Sequence, residues 1–430
     1  MSESLKRAAW QSIPLVIVCG CLISMLGFGP RSTVGFFLTP MSAAHGWGRD
    51  VFALAIAIQM LLWGAAQPFV GAIADRFGPV LVLCVGALLY SVGFAWMTYA
   101  ATPGAMYLSA GVLIGFGLAG ASFTVVIGAF GKLLPVEWRT LSFGLGTAAG
   151  SFGQFLFSPL AVALNSAVAW QTTLLIFAGT ILLILPLSLA LALPRNVETP
   201  AQRAAAQSVG AALREALSHP SFVLLVIGYF TCGFQVFFVT VHLPAYLVDR
   251  GLSADLGAFV IATVGLFNIV GSIGAGYLSN VMPKRYVLAA IYFLRAVAVA
   301  IFISVPATST SALTFGAVMG LLWLSTIPPT NALVALMFGT RWLTMLAGFA
   351  FFSHQLGGFF GVWLGGLLYE RTGHRARHPV GAGQSADQGK AGGASGGRRG
   401  VTLPPGLTRR PIEQKIRRSN SDGCADRVRA

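Results

Sequence analysis

Long apolar runs separated by short polar turns recur through about the first 370 positions of the chain. They lie near 13–39, 51–74, 80–99, 105–131, 140–163, 171–193, 221–246, 256–278, 286–305, 312–337 and 344–369. A helix needs about 20 residues to cross about 30 Å of hydrocarbon, and these runs are of that order. The pattern predicts an all-α membrane protein with eleven crossings. The longest polar break inside the series, 194–220, runs from Pro194 through Arg203 and Arg214 to His219 and separates six runs from five. An N-terminal bundle over 1–193, a central loop over 194–220 and a C-terminal bundle over 221–373 are therefore expected. The first run is too long for the core of a secretory leader and lacks a small-residue cleavage site, so it reads as a retained span.

Composition supports the same reading. Of 430 residues, 56% are hydrophobic and only 10% charged, with a mean hydropathy of +0.76. A soluble chain of this size needs a larger charged shell. Charge also orients the chain. With the N-terminus inside, one side carries Lys6, Arg7, Arg76, Lys132, Arg139, Arg195, Arg203, Arg214, Lys284, Arg285 and Arg341, and the other only Arg49 and Arg250, plus Arg371 at the last exit. The basic side is expected to be cytoplasmic, which puts the protein in the cell (inner) membrane with a cytoplasmic N-terminus. Trp10, Trp138 and Trp342 then fall at inner ends and Trp47 and Trp170 at outer ends, as an aromatic belt should.

The two halves resemble repeats. The turn after the second run reads Gly71-Ala-Ile-Ala-Asp75-Arg76-Phe-Gly78-Pro79, and the turn after the eighth reads Gly276-Tyr-Leu-Ser-Asn280-Val-Met-Pro283-Lys284-Arg285. The glycines suit a tight turn. An Asp there can sit against a helix N-terminus while an Arg pairs nearby, so Gly71, Asp75, Arg76, Gly78 and Arg139 are the expected conformational latch. The first turn resembles the G-x-x-x-D-R-x-G signature of the major facilitator superfamily, and the second is its weaker echo.

Within that superfamily the chain resembles the monocarboxylate porter and oxalate/formate antiporter group, over about residues 10–373. Pro30-Arg31-Ser32-Thr33-Val34-Gly35-Phe36-Phe37 is similar to the group's P-K-S-x-x-V-F-F, with Arg31 at its substrate-binding lysine. Arg139-Thr-Leu141-Ser142-Phe-Gly144-Leu-Gly146-Thr-Ala148 looks like R-x-L-A-x-G-x-A-x-A, with departures at Ser142 and Gly146. Gly46-Trp47-Gly48-Arg49 resembles the GWS-R segment before the second span of bacterial members. The resemblance implies two six-helix-type bundles around a central cavity, alternating access, and a small carboxylate as substrate, with symport and antiport both open. It also implies a twelfth span, where residues 374–430 show no apolar run. Animal members carry an Asp and an Arg four residues apart in the eighth span; the matching Asn268 and Ser272 are neutral, so that coupling pair does not carry over.

Ionisable residues inside a span are costly and tend to be functional. Those here are Arg31, Arg295, His242 and His354, and no Asp or Glu falls mid-span. A buried cation without an acidic neighbour favours an anionic ligand, and a guanidinium matches a carboxylate with two hydrogen bonds. Arg31, His242, Asn268, His354 and Gln355 are the expected substrate-binding residues. Each also has a plainer reading: Arg31 snorkels to the interface, the histidines are core residues, and Asn268, Gln154, Gln235 and Gln355 bond between helices. Arg295 reads equally well as structural. Phe36, Phe37 and Trp323 read first as packing.

Neither a metal-ligand cluster nor a catalytic constellation is evident, so no enzyme activity, metal or cofactor is expected. Four of the five cysteines, Cys19, Cys21, Cys84 and Cys232, lie in apolar runs; Cys424 does not. The net charge of +15 is uneven: residues 1–370 carry 15 basic and 9 acidic side chains, and 371–430 carry 13 and 4. No nucleic-acid partner is therefore inferred from the basicity; the expected partners are the bilayer and a small carboxylate, and the expected state is a monomer. Residues 374–430, rich in Gly, Arg and Ser and without an apolar run, read as a disordered basic tail, with a frameshifted end as the hypothesis for its abrupt start. Two other functions stay open: a transport-dead sensor on the same fold, and a truncated carrier.

Overall fold

In the computed structural model, residues 11–47, 49–193 and 207–377 are described. Lys6, Arg7, Trp10, Gly48, Arg195, Arg203 and most of the expected tail, from His378 onward, lie outside those residues. The chain divides into the unit Met1–Arg377 and the unit His378–Ala430, and only the first is described below.

Among the described residues, eleven helical segments are long and apolar enough to cross a membrane: Ile13–Phe37, Asp50–Phe77, Pro79–Met97, Pro103–Leu133, Val136–Ala167, Trp170–Leu191, Pro220–Asp249, Asp255–Val281, Lys284–Ser304, Ser309–Phe338 and Leu343–Gly365. They are called the first to eleventh spans. The expected eleven crossings are present, and several are longer than their apolar cores. The fifth helix covers Val136–Ala167 where the apolar run covers 140–163, because a helix continues past the hydrocarbon as long as its backbone stays hydrogen-bonded.

Local chemistry sets the starts. The Ser12 hydroxyl accepts from Leu15 N at 3.4 Å and Pro14 occupies the first turn. Thr102, Ser208, Ser253 and Thr308 cap in the same way, each satisfying an otherwise orphan N–H. The turn between the second and third spans depends on Gly78, whose φ of +95° lies in the region that favours glycine. Pro79 then opens the third span with φ already set for a helix.

Two spans are interrupted at corresponding places in the two halves. The fourth contains a π-helical stretch, Tyr107–Leu113, and a break at Ala121–Ser122 before its second helix, Phe123–Leu133. The tenth breaks between Ser309–Leu322 and Ile327–Phe338. Such breaks expose backbone groups that must find partners inside protein.

The halves meet along two seams. The eleventh span packs on the second, and the eighth on the fifth. A β-carbon on Gly71 would come within 2.5 Å of the Thr344 carbonyl oxygen, and one on Gly144 within 2.6 Å of the Ser272 carbonyl oxygen. Backbones can approach this closely only where a side chain is missing. Both seams lead away from the turn that contains Asp75, here called the signature end.

Candidate functional site

At the signature end, the Asp75 carboxylate holds groups from both halves. One oxygen accepts from Lys132 Nζ, at the end of the fourth span, at 2.7 Å. The other accepts from the backbone N–H of Met345 at 2.8 Å, in the first turn of the eleventh span. Lys132 also donates to the Asp75 carbonyl at 3.3 Å. The carboxylate therefore satisfies an orphan N–H at a helix N-terminus, where the helix dipole favours negative charge. Gly71 brings the two helices close enough for this contact.

The expected Arg partner does not take that place. The Arg76 guanidinium lies over the Phe77 ring, 5.2 Å from its centroid. Arg139 donates from Nε to the Leu134 carbonyl at 3.1 Å and closes the loop before the fifth span. Lys132, read in the sequence only as a basic loop residue, supplies the ion pair. A Lys 57 positions away carries no local signal that ties it to Asp75.

The second seam is held without charge. Asn280, at the position matching Asp75, donates from Nδ2 to the Glu137 carbonyl at 3.1 Å. Further along, Asn268 Nδ2 donates to Ser151 Oγ at 2.6 Å, while Asn268 Oδ1 accepts from the Leu324 N–H at 2.9 Å and from Ser272 Oγ at 3.3 Å. Asn268 is 2% exposed. It joins the fifth and eighth spans and caps the break in the tenth.

Arg31 lies near the end of the helix Ile13–Ser32. Its guanidinium carbon sits 4.9 Å from the Trp63 ring centroid and 5.8 Å from that of Phe28. Tyr90 is near enough to interact with it electrostatically. Arg31 Nε is buried and makes no hydrogen bond, and the same is true of Trp63 Nε1 and Tyr90 Oη. Among the described residues no carboxylate pairs with Arg31. Cation–π contact offsets part of the desolvation of the guanidinium, and its Nε donor remains available.

Aromatic contacts lead from Arg31 into the other half. Trp63 lies 5.1 Å from Phe351, and Phe351 stacks on His354 at 5.9 Å. Gln355 packs with its Cβ and Cγ where a Gly64 side chain would stand, and its Nε2 has no partner. His354 is 6% exposed, lies 5.2 Å from the Tyr229 ring, and has an unpartnered Nδ1. The geometry thus gathers Arg31, His354 and Gln355 around Trp63 and Phe351. His242 stands apart: its Nε2 is 3.1 Å from the Val362 carbonyl and its ring packs on Phe238, between the seventh and eleventh spans. Trp63 and Phe351 had no signal in the sequence beyond an apolar position.

Arg295 is fully buried. It donates from Nε to the Leu322 carbonyl at 3.0 Å, from Nη2 to the Leu322 and Trp323 carbonyls, and from Nη1 to Cys232 Sγ at 3.2 Å. It caps the carbonyl side of the break whose N–H side is held by Asn268. Among the described residues no group of three or more His, Cys, Asp or Glu is placed to hold a metal ion.

Comparison with known proteins agrees with this architecture. The chain is 27% identical over 354 residues to the MFS-type transporter YcxA of Bacillus subtilis (strain 168), covering 80% of this chain and 85% of the relative. It is 25% identical over 372 residues to Monocarboxylate transporter 13 of Rattus norvegicus, covering 84% and 83%. Among solved structures, the fucose:proton symporter FucP of E. coli matches with a TM-score of 0.65 at 15% identity, covering 84% of this chain and 93% of FucP. One FucP structure of the same similarity is in the outward conformation. The xylose symporter XylE matches with a TM-score of 0.59 at 17% identity, covering 85% and 89%. These two likenesses concern the fold alone. The sequence model of the Major Facilitator Superfamily matches residues 20–362, and with eleven apolar spans, two glycine-lined seams and a carboxylate seated on a helix N-terminus, the chain belongs to that family of membrane transporters.

Proposed function

We propose that the protein is a secondary carrier of small carboxylates that works by alternating access in the cell membrane, with its N-terminus in the cytoplasm. The observation that carries this reading is Arg31. It is a half-buried cation whose buried Nε has no partner, placed over Trp63, with no acidic side chain paired to it among the described residues. A carboxylate in the cavity would neutralise it and take up its free donor. The printed names of relatives such as Monocarboxylate transporter 13 support the same substrate class. The charge bias of the loops supports the orientation. In this reading His354 and Gln355 present polar groups to the same region from the eleventh span, while His242 and Asn268 hold helices together.

The signature end is the cytoplasmic end in this reading, and the clasp of Asp75 with Lys132 and Met345 stabilises the state closed on that side. The cross-half bonds Asp75–Met345, Asn280–Glu137 and Asn268–Ser151 run from the signature end inward. From residue 75 to residue 63 the second span covers about 18 Å at 1.5 Å per residue, so these contacts favour a cavity open on the opposite, outer side.

The test is uptake of a panel of labelled carboxylates, including mono- and dicarboxylates, into proteoliposomes. Arg31→Ala should weaken binding of the accepted carboxylate by about 2–5 kcal/mol, the scale for truncating one partner of a buried charge pair. Arg31→Lys should keep part of the affinity, because it keeps charge but loses the planar fork. Wild-type affinity in Arg31→Ala would remove Arg31 from the site.

A further inference from the structure

Between the seventh, ninth, tenth and eleventh spans lies a buried group of side chains, of which the reading above does not use Cys232 and Arg295. Cys232 is 0% exposed. Its sulfur is 3.2 Å from Arg295 Nη1 and 3.3 Å from the Thr326 hydroxyl. His354 interacts with it electrostatically from the eleventh span, and the buried His354 Nδ1 makes no hydrogen bond. Tyr229 lies one turn away on the same helix as Cys232, and Tyr292 lies under the Arg295 guanidinium, 5.8 Å from ring centroid to Cζ. The Tyr292 hydroxyl itself donates to the Gly228 carbonyl at 2.7 Å. These are the titratable and charged groups that face the sulfur: Tyr229 from its own helix, Tyr292 and Arg295 from the ninth span, and His354 from the eleventh.

A fully buried guanidinium needs a compensating anion or a complete set of acceptors. Arg295 has two carbonyl oxygens, those of Leu322 and Trp323, and one sulfur. The sulfur is the one group in hydrogen-bond contact with it that can become an anion. An anionic sulfur accepts from both neighbours at once, from the guanidinium N–H and from the Thr326 O–H, and each of these bonds is then charge-assisted. A cysteine beside a cation is the setting in which thiolates form. Cys232 is thus part of a charged cluster with a second titratable group, His354, beside it.

We propose that Cys232 is a proton-binding site, present as the thiolate of an ion pair with Arg295, and that its protonation is the proton-coupling step of the carrier. The step balances simply: one proton from solvent, passed by way of the His354 imidazole, converts Cys–S⁻ to Cys–SH. Protonation raises the charge of the Arg31–Arg295–Cys232 set by one, and an anionic substrate bound at Arg31 returns it to its starting value. Proton and anion are thereby taken up together. The coupling role rests on the carboxylate reading; the ion pair itself does not.

The experiment has two arms. In the first, the protein in lipid nanodiscs is titrated from about pH 5 to about pH 9, a range that brackets an ordinary thiol near 8.5. The ultraviolet thiolate band is followed in wild type and in Cys232→Ser, and their difference isolates Cys232 from the other cysteines. The difference band should be present at neutral pH, fall by more than half toward the acid end, survive in Arg295→Lys and be lost in Arg295→Gln. A difference flat at zero up to neutral pH, or unchanged in Arg295→Gln, overturns the ion pair. No substrate is needed, so failure of the carboxylate reading does not affect this arm. In the second arm, uptake by wild type should rise several-fold as external pH falls, and Cys232→Ser should flatten that dependence. A wild-type pH profile in Cys232→Ser overturns the coupling role.

Discussion

The carboxylate of Asp75 and the backbone N–H of Met345 are 270 positions apart in sequence and 2.8 Å apart in space. The contact joins the last turn of the second span to the first turn of the eleventh. Its second oxygen is held by Lys132 at 2.7 Å, so one side chain ties together three spans of both halves.

Asp75→Asn should therefore slow turnover more than it weakens substrate binding. The amide can still accept from Met345 but cannot neutralise Lys132, and its interaction with the helix N-terminus falls by about 0.3–2 kcal/mol. Measuring the dissociation constant and the maximal rate separately checks this: the maximal rate should fall while affinity stays within about twofold, a difference under 1 kcal/mol. Lost affinity at a normal maximal rate would count against a latch.

Gly71→Ala should drive the signature end open. The added carbon would stand 2.5 Å from the Thr344 carbonyl oxygen and 2.8 Å from the Met345 Cα, and neither atom can move without moving the eleventh span. A cysteine at Ser272, fully buried in the other seam, reports on the opening. It should gain thiol labelling in the Gly71→Ala background, with the native cysteines replaced. Unchanged labelling would mean that the helices yield locally and the halves stay together.

Asn268→Ala should cost stability rather than affinity. It leaves the Leu324 N–H at the tenth-span break without its acceptor and removes the bond to Ser151. An unsatisfied buried donor costs about 1–3 kcal/mol. The melting temperature in detergent should drop while the substrate dissociation constant changes little. A large loss of affinity at unchanged melting temperature would instead make Asn268 a substrate contact.

The proposed orientation can be read with two exposed positions at opposite ends of the molecule. A membrane-impermeant thiol reagent applied to whole cells should label Ala167→Cys, at the end of the fifth span, and should reach Ser218→Cys, before the seventh, only after permeabilisation. The reverse result would invert the topology and move the Asp75 clasp to the outer face.

The eleven crossings were legible because lipid leaves a helix little choice: it must be apolar over a fixed length, and that length shows directly in sequence. The Gly71–Asp75–Gly78 turn was legible because its residue types are demanded by backbone shape and by a helix terminus. Lys132 was not, since its role depends on where the fourth span ends in space, and in sequence it is one more basic loop residue. The break in the tenth span had a cue in the pair Pro328-Pro329, which opens the second helix, yet the apolar run continues through it without a polar gap. Arg295 reads ambiguously for the same reason: its worth depends on that break, whose loose carbonyls it caps. Trp63 and Phe351 are invisible as site residues in a chain where apolar aromatics are common, and only their placement against Arg31 and His354 distinguishes them.

The two seams are built to different strengths. One is fastened by a charged carboxylate on a helix end, the other by a neutral Asn280 bonded to the Glu137 carbonyl. A hinged body with unequal fasteners does not part evenly. In the proposed alternating-access cycle the side between the fifth and eighth spans should give way first, with the side between the second and eleventh as the pivot until Asp75 lets go. Release of the halves is then a peeling motion with a defined starting edge. Asn280→Asp removes the amide donor to the Glu137 carbonyl and should loosen the weaker edge further, sharpening the peel.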